Sequence, residues 1–289
     1  MARQAARTAI GPMALVAGEQ YREVGERLVD DSLAYKFLPT GVRWVVALTR
    51  WRPCRELLVR ATEAKGCGLA ASLLCRKRYV ADRLDEAARD GLDALVVLGA
   101  GLDTLAYRHP APARRIFEVD LPENIADKED KVSRVFSRIP DPVTLVPIDF
   151  ETQQIDQVLV SSGYDPDART FFIWEGVTQY LTESGVRATM RALASAATGS
   201  RLVFTYVRQD FLDGTHLYAA EAAYQEFKVR RRLWHFGLDP EQVGAFLAEY
   251  GWRECEQVGA EEFDAWYVQP TGRGLPVSEI ERSVYAEKA

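Results

Sequence analysis

Histidine is scarce in this chain: His109, His216 and His235 are the three in 289 residues, and no Ser-His-Asp constellation can be arranged around them. Hydrolase chemistry is therefore not expected. Cys54, Cys67, Cys75 and Cys255 form no Cys-x-x-Cys pair, which with so few histidines leaves no zinc spacing and fits a reduced, cytoplasmic compartment. Excess positive charge is also missing. A net charge of −6 and a pI near 5.3 give no basic face for nucleic acid. The densest basic run, Lys228 to Arg232, is interrupted by Val229 and reads as a solvated helix face. No long apolar run occurs near the start, where the stretch after Arg3 and Arg7 is broken by Glu19, so neither a secretory core nor a membrane span is expected. Nucleic acid and membrane are accordingly not among the expected partners.

What is present is ample hydrophobic content, 47% of residues, enough for a full core. The organising stretch is LVVLGAGLDT, Leu95 to Thr104. Leu95 to Leu98 is a short continuous apolar run, as in a parallel strand covered on both faces. Gly99 and Gly101 behind it permit backbone conformations that a side chain forbids. Such a loop is either a plain strand-to-helix turn or the docking place of a nucleotide-like ligand.

Before this strand, from Thr8 to Asp90, apolar residues recur at helical spacing through Ala14, Leu15, Tyr21, Val24 and Leu28, and again through Leu57, Leu58, Leu69, Leu73 and Leu74. Gly66 and Gly68 mark a helix start or break. After the loop, strand and helix alternate. Strands are predicted at Arg115 to Val119, ending in Asp120; at Thr144 to Ile148, closed by Asp149; at Phe171 to Trp174, closed by Glu175; and at Arg201 to Val207. Helices are predicted from Pro122 to Ser137 and from a Thr182 cap to Ala197. The alternation implies parallel strands with right-handed crossovers. One strand-end acid serves equally well as a helix cap, but three in succession after a glycine loop converge on one crevice. From Arg208 to Leu238 the pattern breaks into an aromatic helical insertion, a candidate cover. Pro240 to Tyr250 follows as a helix, then Trp252 to Val258 and Ala265 to Gln269 as an antiparallel strand pair.

A dinucleotide site would want a third glycine where Thr104 stands, and a P-loop would want a Lys and a Ser or Thr after the glycines. Asp120 is nearly the right distance on for a ribose diol. An adenosine ligand without pyrophosphate suits the loop best, and S-adenosylmethionine is such a ligand.

The strings RTAIGPMAL, CRKRYVAD, LGAGLDTLAYR, FEVDLPE, PIDFET, EGVTQYLTE and FGLDPEQVGAFLAEYGWRECE, spread over nearly the whole chain, resemble the leucine carboxyl methyltransferase superfamily, and within it the bacterial and polyketide O-methyltransferase branch. The resemblance implies an α/β class I methyltransferase (Rossmann-like) fold: a seven-stranded sheet with an antiparallel last strand pair, an N-terminal helical cap and a helical insertion after the fifth strand. One domain is expected, with 1–90 as the cap, 91–207 as the cofactor-binding core, 208–238 as a lid, and 239–289 as the closing helix and strand pair.

It further implies that Arg76 holds the methionine carboxylate of S-adenosylmethionine, with Gly99, Ala100 and Gly101 under that tail. Asp120, with Leu121 beside it, would take the ribose, and Asp149 with Phe150 the adenine. Glu175 would lie by the methionine ammonium or the transferred methyl, and Tyr180 by the acceptor. Trp234 and His235, in the aromatic insertion, are further candidate acceptor contacts. Where the family has Arg-Thr this chain has Arg76-Lys77, so Arg78 competes for the clamp; His109 replaces an apolar residue. The expected activity is in-line O-methylation of a small-molecule phenol, hydroxyl or carboxylate. Carboxyl methylation of a peptide or protein C-terminus is the alternative, and a non-catalytic adenosine-ligand-binding or NAD-dependent protein the second. A carboxylate acceptor needs no base, whereas a phenol, with a pKa of about 10, must be deprotonated by its surroundings. No metal is required.

Overall fold

The computed structural model describes residues 8–108, 111–150 and 152–289; His109, whose role the sequence left open, lies outside them, as does Glu151 of the PIDFET string. Among the described residues, four helices of nine or more residues precede the sheet: α1 (Ile10–Glu19), α2 (Thr40–Leu48), α3 (Arg52–Glu63) and α4 (Leu69–Arg89). The long α4 places Leu74, Tyr79, Val80, Leu84 and Ala87 in the core at successive spacings of five, one, four and three, the inward stripe of an amphipathic helix.

β1 (Ala94–Leu98) is the central strand, buried along its whole length. It pairs in parallel with β2 (Arg115–Asp120) on one side and β4 (Thr170–Trp174) on the other. Helix α5 (Pro122–Phe136) opens with proline at its first turn, where the missing N–H has no partner to lose. It leads to β3 (Val143–Pro147), parallel to β2. α6 (Ile155–Ser161) precedes β4; after it, Thr182 caps α7 (Glu183–Leu193) by accepting from the Gly185 amide at 3.2 Å. β5 (Arg201–Arg208) then pairs in parallel with β4. Successive side chains of each strand enter opposite layers: Leu95 and Val97 of β1 meet the N-terminal helices, and Ala94, Val96 and Leu98 meet the opposite core.

The insertion is irregular: short helical turns, a π-helical segment at Tyr224–Arg230, and the two-residue β6 (Gly237–Leu238) beside β5. The predicted helix from Pro240 is a short 3₁₀ turn running into α8 (Val243–Ala248). β7 (Trp252–Val258) follows, and β8 (Glu281–Lys288) inserts antiparallel between β5 and β7, giving the order β3-β2-β1-β4-β5-β8-β7 with β6 off the path.

One predicted strand is wrong. Ala265 to Gln269 is not a strand: residues 264–268 form a π-helical turn that continues the helical turn Ala260–Phe263, and the segment buries Phe263, Tyr267 and Val268 against the N-terminal helices. The spacing from Phe263 to Tyr267 is that of a helix face, and a run of five residues is too short for the pattern to choose. The true last strand was missed because ERSVYAEK is mostly polar; only Ser283, Val284 and Ala286 are buried in it. No helix among the described residues is long and apolar enough to cross a membrane.

Candidate active site

The carboxyl ends of β1, β2 and β4 open into a cavity of about 1390 Å³. Its floor carries Gly99, Ala100, Gly101, Asp120, Leu121, Asp149, Phe150 and Glu175, the residues the sequence had grouped. β1 and β2 pair in register up to Leu98 and Val119, so the glycine turn and Asp120 leave the sheet side by side. The Gly101 amide donates to Asp120 Oδ2 at 2.7 Å; the Leu121 amide and Asn124 Nδ2 donate to Oδ1, each at 2.7 Å. Two carboxylate oxygens offer about four acceptor sites, so three donors orient Asp120 and leave Oδ2 room for one hydroxyl more.

Gly99 has φ +72°, and a Cβ there would stand 2.4 Å from Val177 Cγ2, so the turn requires glycine twice over. At Gly101 a Cβ would meet nothing nearer than Gly99 O at 3.8 Å and Asp120 Oδ2 at 3.9 Å. That space beside the carboxylate is clear. The loop is held from beneath by Lys128, whose Nζ donates to Ala100 O at 3.1 Å and pairs with Glu118, which also accepts from the Tyr107 hydroxyl. Burial pushes the Glu118 carboxyl up to about 7 against the opposing pull of Lys128.

A charged network forms the wall next to Glu175. Arg76 Nε donates to Glu175 Oε1 at 2.7 Å, and Arg76 Nη1 donates to both oxygens of Glu281, at 2.7 and 2.9 Å. Lys77 Nζ donates to Asp103 Oδ2 at 2.7 Å and lies 3.0 Å from Glu175 Oε2, which is buried and accepts no well-aligned hydrogen bond. Burial alone would lower the Arg76 and Lys77 pKa values, but the carboxylates around them raise both; Asp103 moves oppositely, burial opposing and Lys77 prevailing to hold it below its ordinary value. Two cations facing three carboxylates leave this wall net negative.

Of the two arginines that competed for the clamp, Arg76 lines the cavity. Arg78 does not: its guanidinium lies 5.0 Å over the Tyr267 ring and 3.8 Å from Asp82. Sequence reasoning missed Lys77 as a participant, and Asp103 and Glu281 altogether. Asp103 sits inside the GAGLDT string, so its place was a usable signal. Glu281 gave none, being 205 residues from Arg76 in a strand that was not recognised.

The roof comes from both expected segments. Ile10, Met13 and Leu15 of α1 and Leu69 and Leu73 of α4 face Phe227, Leu233, Trp234 and His235 of the insertion across the cavity. Trp234 stacks on Phe227 with centroids 4.7 Å apart, and the His235 amide donates to Gln179 O at 2.7 Å, tying the insertion to the turn after β4. Tyr180 shares a hydrogen bond of 2.9 Å with Thr8. Arg231, from the basic run read as a solvated face, also lines the cavity and is paired with Glu226 at 2.8 Å.

These residues fit the group that the sequence implied. Clear ground beside Gly101, an oriented acid with spare acceptor capacity, and a net negative wall match a ribose and a cationic sulfonium with its ammonium.

Comparison with known proteins points the same way. The leucine carboxyl methyltransferase family matches residues 9–194. A relative from Frankia alni, named for S-adenosyl-L-methionine-dependent methyltransferase activity, is 32% identical over 202 residues, 68% of this chain and 67% of its own. A Streptomyces avermitilis relative named in the same way is 28% identical over 267 residues, 91% of this chain and 88% of its own. Among solved structures, one from Thermobifida fusca described as a methyltransferase superposes with a TM-score of 0.55 at 15% identity, over 81% of this chain and 88% of that one, a likeness of fold.

Proposed function

The chain belongs to the leucine carboxyl methyltransferase family and is an S-adenosylmethionine-dependent methyltransferase, and from that premise we propose that it methylates a hydroxyl oxygen of a small-molecule acceptor. The observation that carries the reading is the size and make-up of the cavity. At about 1390 Å³ it exceeds the roughly 300–1,000 Å³ of a site for one ligand of drug size, so it has room for the cofactor and an acceptor together. Its lining also includes Ile10, Met13, Leu73, Phe227, Leu233 and Trp234, suited to an apolar or aromatic molecule.

When bound, S-adenosylmethionine would supply a methyl carried on a sulfonium, to be taken by an acceptor oxygen that has given up its proton. Asp120 holds the ribose, Leu121, Asp149 and Phe150 border the adenine, and Gly99 to Gly101 run under the methionine tail. Glu175 faces the ammonium. Arg76, fixed between two carboxylates, keeps Glu175 in place and presents its remaining Nη2 to the methionine carboxylate. Tyr180, Trp234 and His235 border the acceptor, so positioning and exclusion of water do the work assigned to the protein. All four cysteines are free, consistent with our placing the enzyme in the cytoplasm.

A carboxylate acceptor, including a peptide C-terminus, is the second reading, favoured by Lys65 on the cavity wall, its Nζ 6.0 Å over the Phe227 ring. Incubation with methyl-labelled cofactor and separate pools of phenols, alcohols and carboxylic acids tests the assignment. Base-stable ether products support methylation of a hydroxyl, and base-labile esters alone would replace it with the second reading.

A further inference from the structure

The N-terminal helices present a surface that the catalytic reading does not use. α2 carries apolar residues on two sides. Val46 is buried and Val42 packs on the core, while Trp44, Val45 and Leu48 point outward, with Trp44 73% exposed. The Trp51 amide donates to Leu48 O at 3.0 Å, so Trp51, 54% exposed, continues the same outward ridge, and Leu57 on α3 is 67% exposed. Five large apolar side chains left exposed between residues 44 and 57 call for an occupant.

Charge says which. From Lys36 to Arg60 the chain has six cations (Lys36, Arg43, Arg50, Arg52, Arg55, Arg60) and one acid, Glu56, in a protein whose net charge is −6. Among the described residues only Arg52 of the six is ion-paired, to Glu56 at 3.0 Å. Arg50 lies 4.9 Å over the Trp51 ring, and Arg55 Nη1 donates to the Tyr21 and Thr49 carbonyls. We propose that this face docks on an anionic lipid surface, with Trp44, Val45, Leu48, Trp51 and Leu57 entering the headgroup region and Arg43, Arg50 and Arg60 meeting lipid phosphates. Indole rings favour that interface, and each cation near it contributes attraction. A second copy of the chain is a poorer occupant, because the face would meet its own positive charge. Nucleic acid gains nothing from Val45, Leu48 and Leu57. The attachment is peripheral and needs no spanning segment. Pro39, just before α2, and Thr62, near the end of α3, also line the cavity, so docking brings the edge of the active site to the lipid surface.

Co-sedimentation of the full chain with phosphatidylcholine vesicles, with and without about a third phosphatidylglycerol, tests this. Binding is expected to the anionic vesicles, to be about tenfold weaker on pure phosphatidylcholine, and to fall as salt is raised. Trp44→Ser with Trp51→Ser should abolish most of it, and Arg50→Gln or Arg60→Gln should each weaken it about fivefold. Calorimetric titration of S-adenosylmethionine shows that each variant is folded, and Arg50→Gln, on an exposed side chain, remains informative if the double variant is not. Equal sedimentation with both vesicle types, or anionic binding indifferent to all four substitutions, would overturn the proposal. So would a wild-type dimer in ultracentrifugation that Trp44→Ser makes monomeric, which would give the face to a second copy.

Discussion

Glu281 grips Arg76 across 205 residues of sequence: both of its oxygens accept from Arg76 Nη1, at 2.7 and 2.9 Å. The last strand of the sheet therefore completes a site begun on the fourth long helix. Glu281→Gln should lower stability by about 3 kcal/mol, because it leaves a buried guanidinium with one carboxylate in place of two. It should also weaken S-adenosylmethionine binding roughly tenfold, about 1.4 kcal/mol. Calorimetry and thermal melting measure the two effects. A lower melting temperature with unchanged affinity would make Glu281 a brace of the fold alone.

Arg76→Lys removes the planar fork while keeping the charge, and should weaken cofactor binding by about 1–2 kcal/mol. Arg78→Lys, on a side chain turned to Tyr267 and Asp82, should stay within about 0.5 kcal/mol of wild type. Titrations of the two variants side by side decide which arginine serves the cofactor.

Asp120→Ala should cost about 1–3 kcal/mol of cofactor affinity, from the lost ribose contact and from the Gly101, Leu121 and Asn124 donors left without their acceptor. An unchanged dissociation constant in a folded variant would remove Asp120 from the ribose site.

Gly99→Ala meets two obstacles, a left-handed backbone and a Cβ 2.4 Å from Val177 Cγ2. A loss of about 1–3 kcal/mol in stability is expected. Adding Val177→Ala should recover part of it, by relieving the contact but not the backbone. Urea melts of the single and double variants separate the two terms, and no recovery at all would mean that the clash with Val177 contributes nothing.

The pair of Lys77 and Asp103 should be visible in acid. Asp103 is held below its ordinary value of 3.8, so the folded state binds its proton less readily than the unfolded chain. The stability it contributes is full above that ordinary value and is lost as pH falls through the lower, folded one. Melting of wild type and Asp103→Asn between about pH 7 and pH 2 should show a difference that narrows toward the acid end. A difference independent of pH would mean that the carboxylate's charge is not what matters.

The parts legible in sequence are those whose signal is local. Leu95 to Leu98 reads as a covered strand because a glycine turn closes it, and Asp120, Asp149 and Glu175 announced themselves by following apolar runs. Thr182 capped its helix as its type prefers. What was hidden depended on partners far away. Residues 264–268 and 281–288 exchange roles relative to expectation, because a polar strand between two others is stabilised by its ladder rather than by its own apolar content, and because Tyr267 and Val268 find their neighbours on the N-terminal helices. The charge balance around Arg76 was equally out of reach. One carboxylate follows β4 and the other begins β8, and only the folded sheet brings them together.

The position of β8 also orders events in time. A chain emerging from the ribosome presents β7 before the strand that joins it to β5, so until residues 281–288 emerge the sheet carries an open edge at β5 and a detached strand beyond it. During that interval Arg76 has Glu175 but lacks Glu281. Nascent chains are thus open to edge-to-edge association while the charged wall around Arg76 is incomplete, and the same late strand ends both conditions.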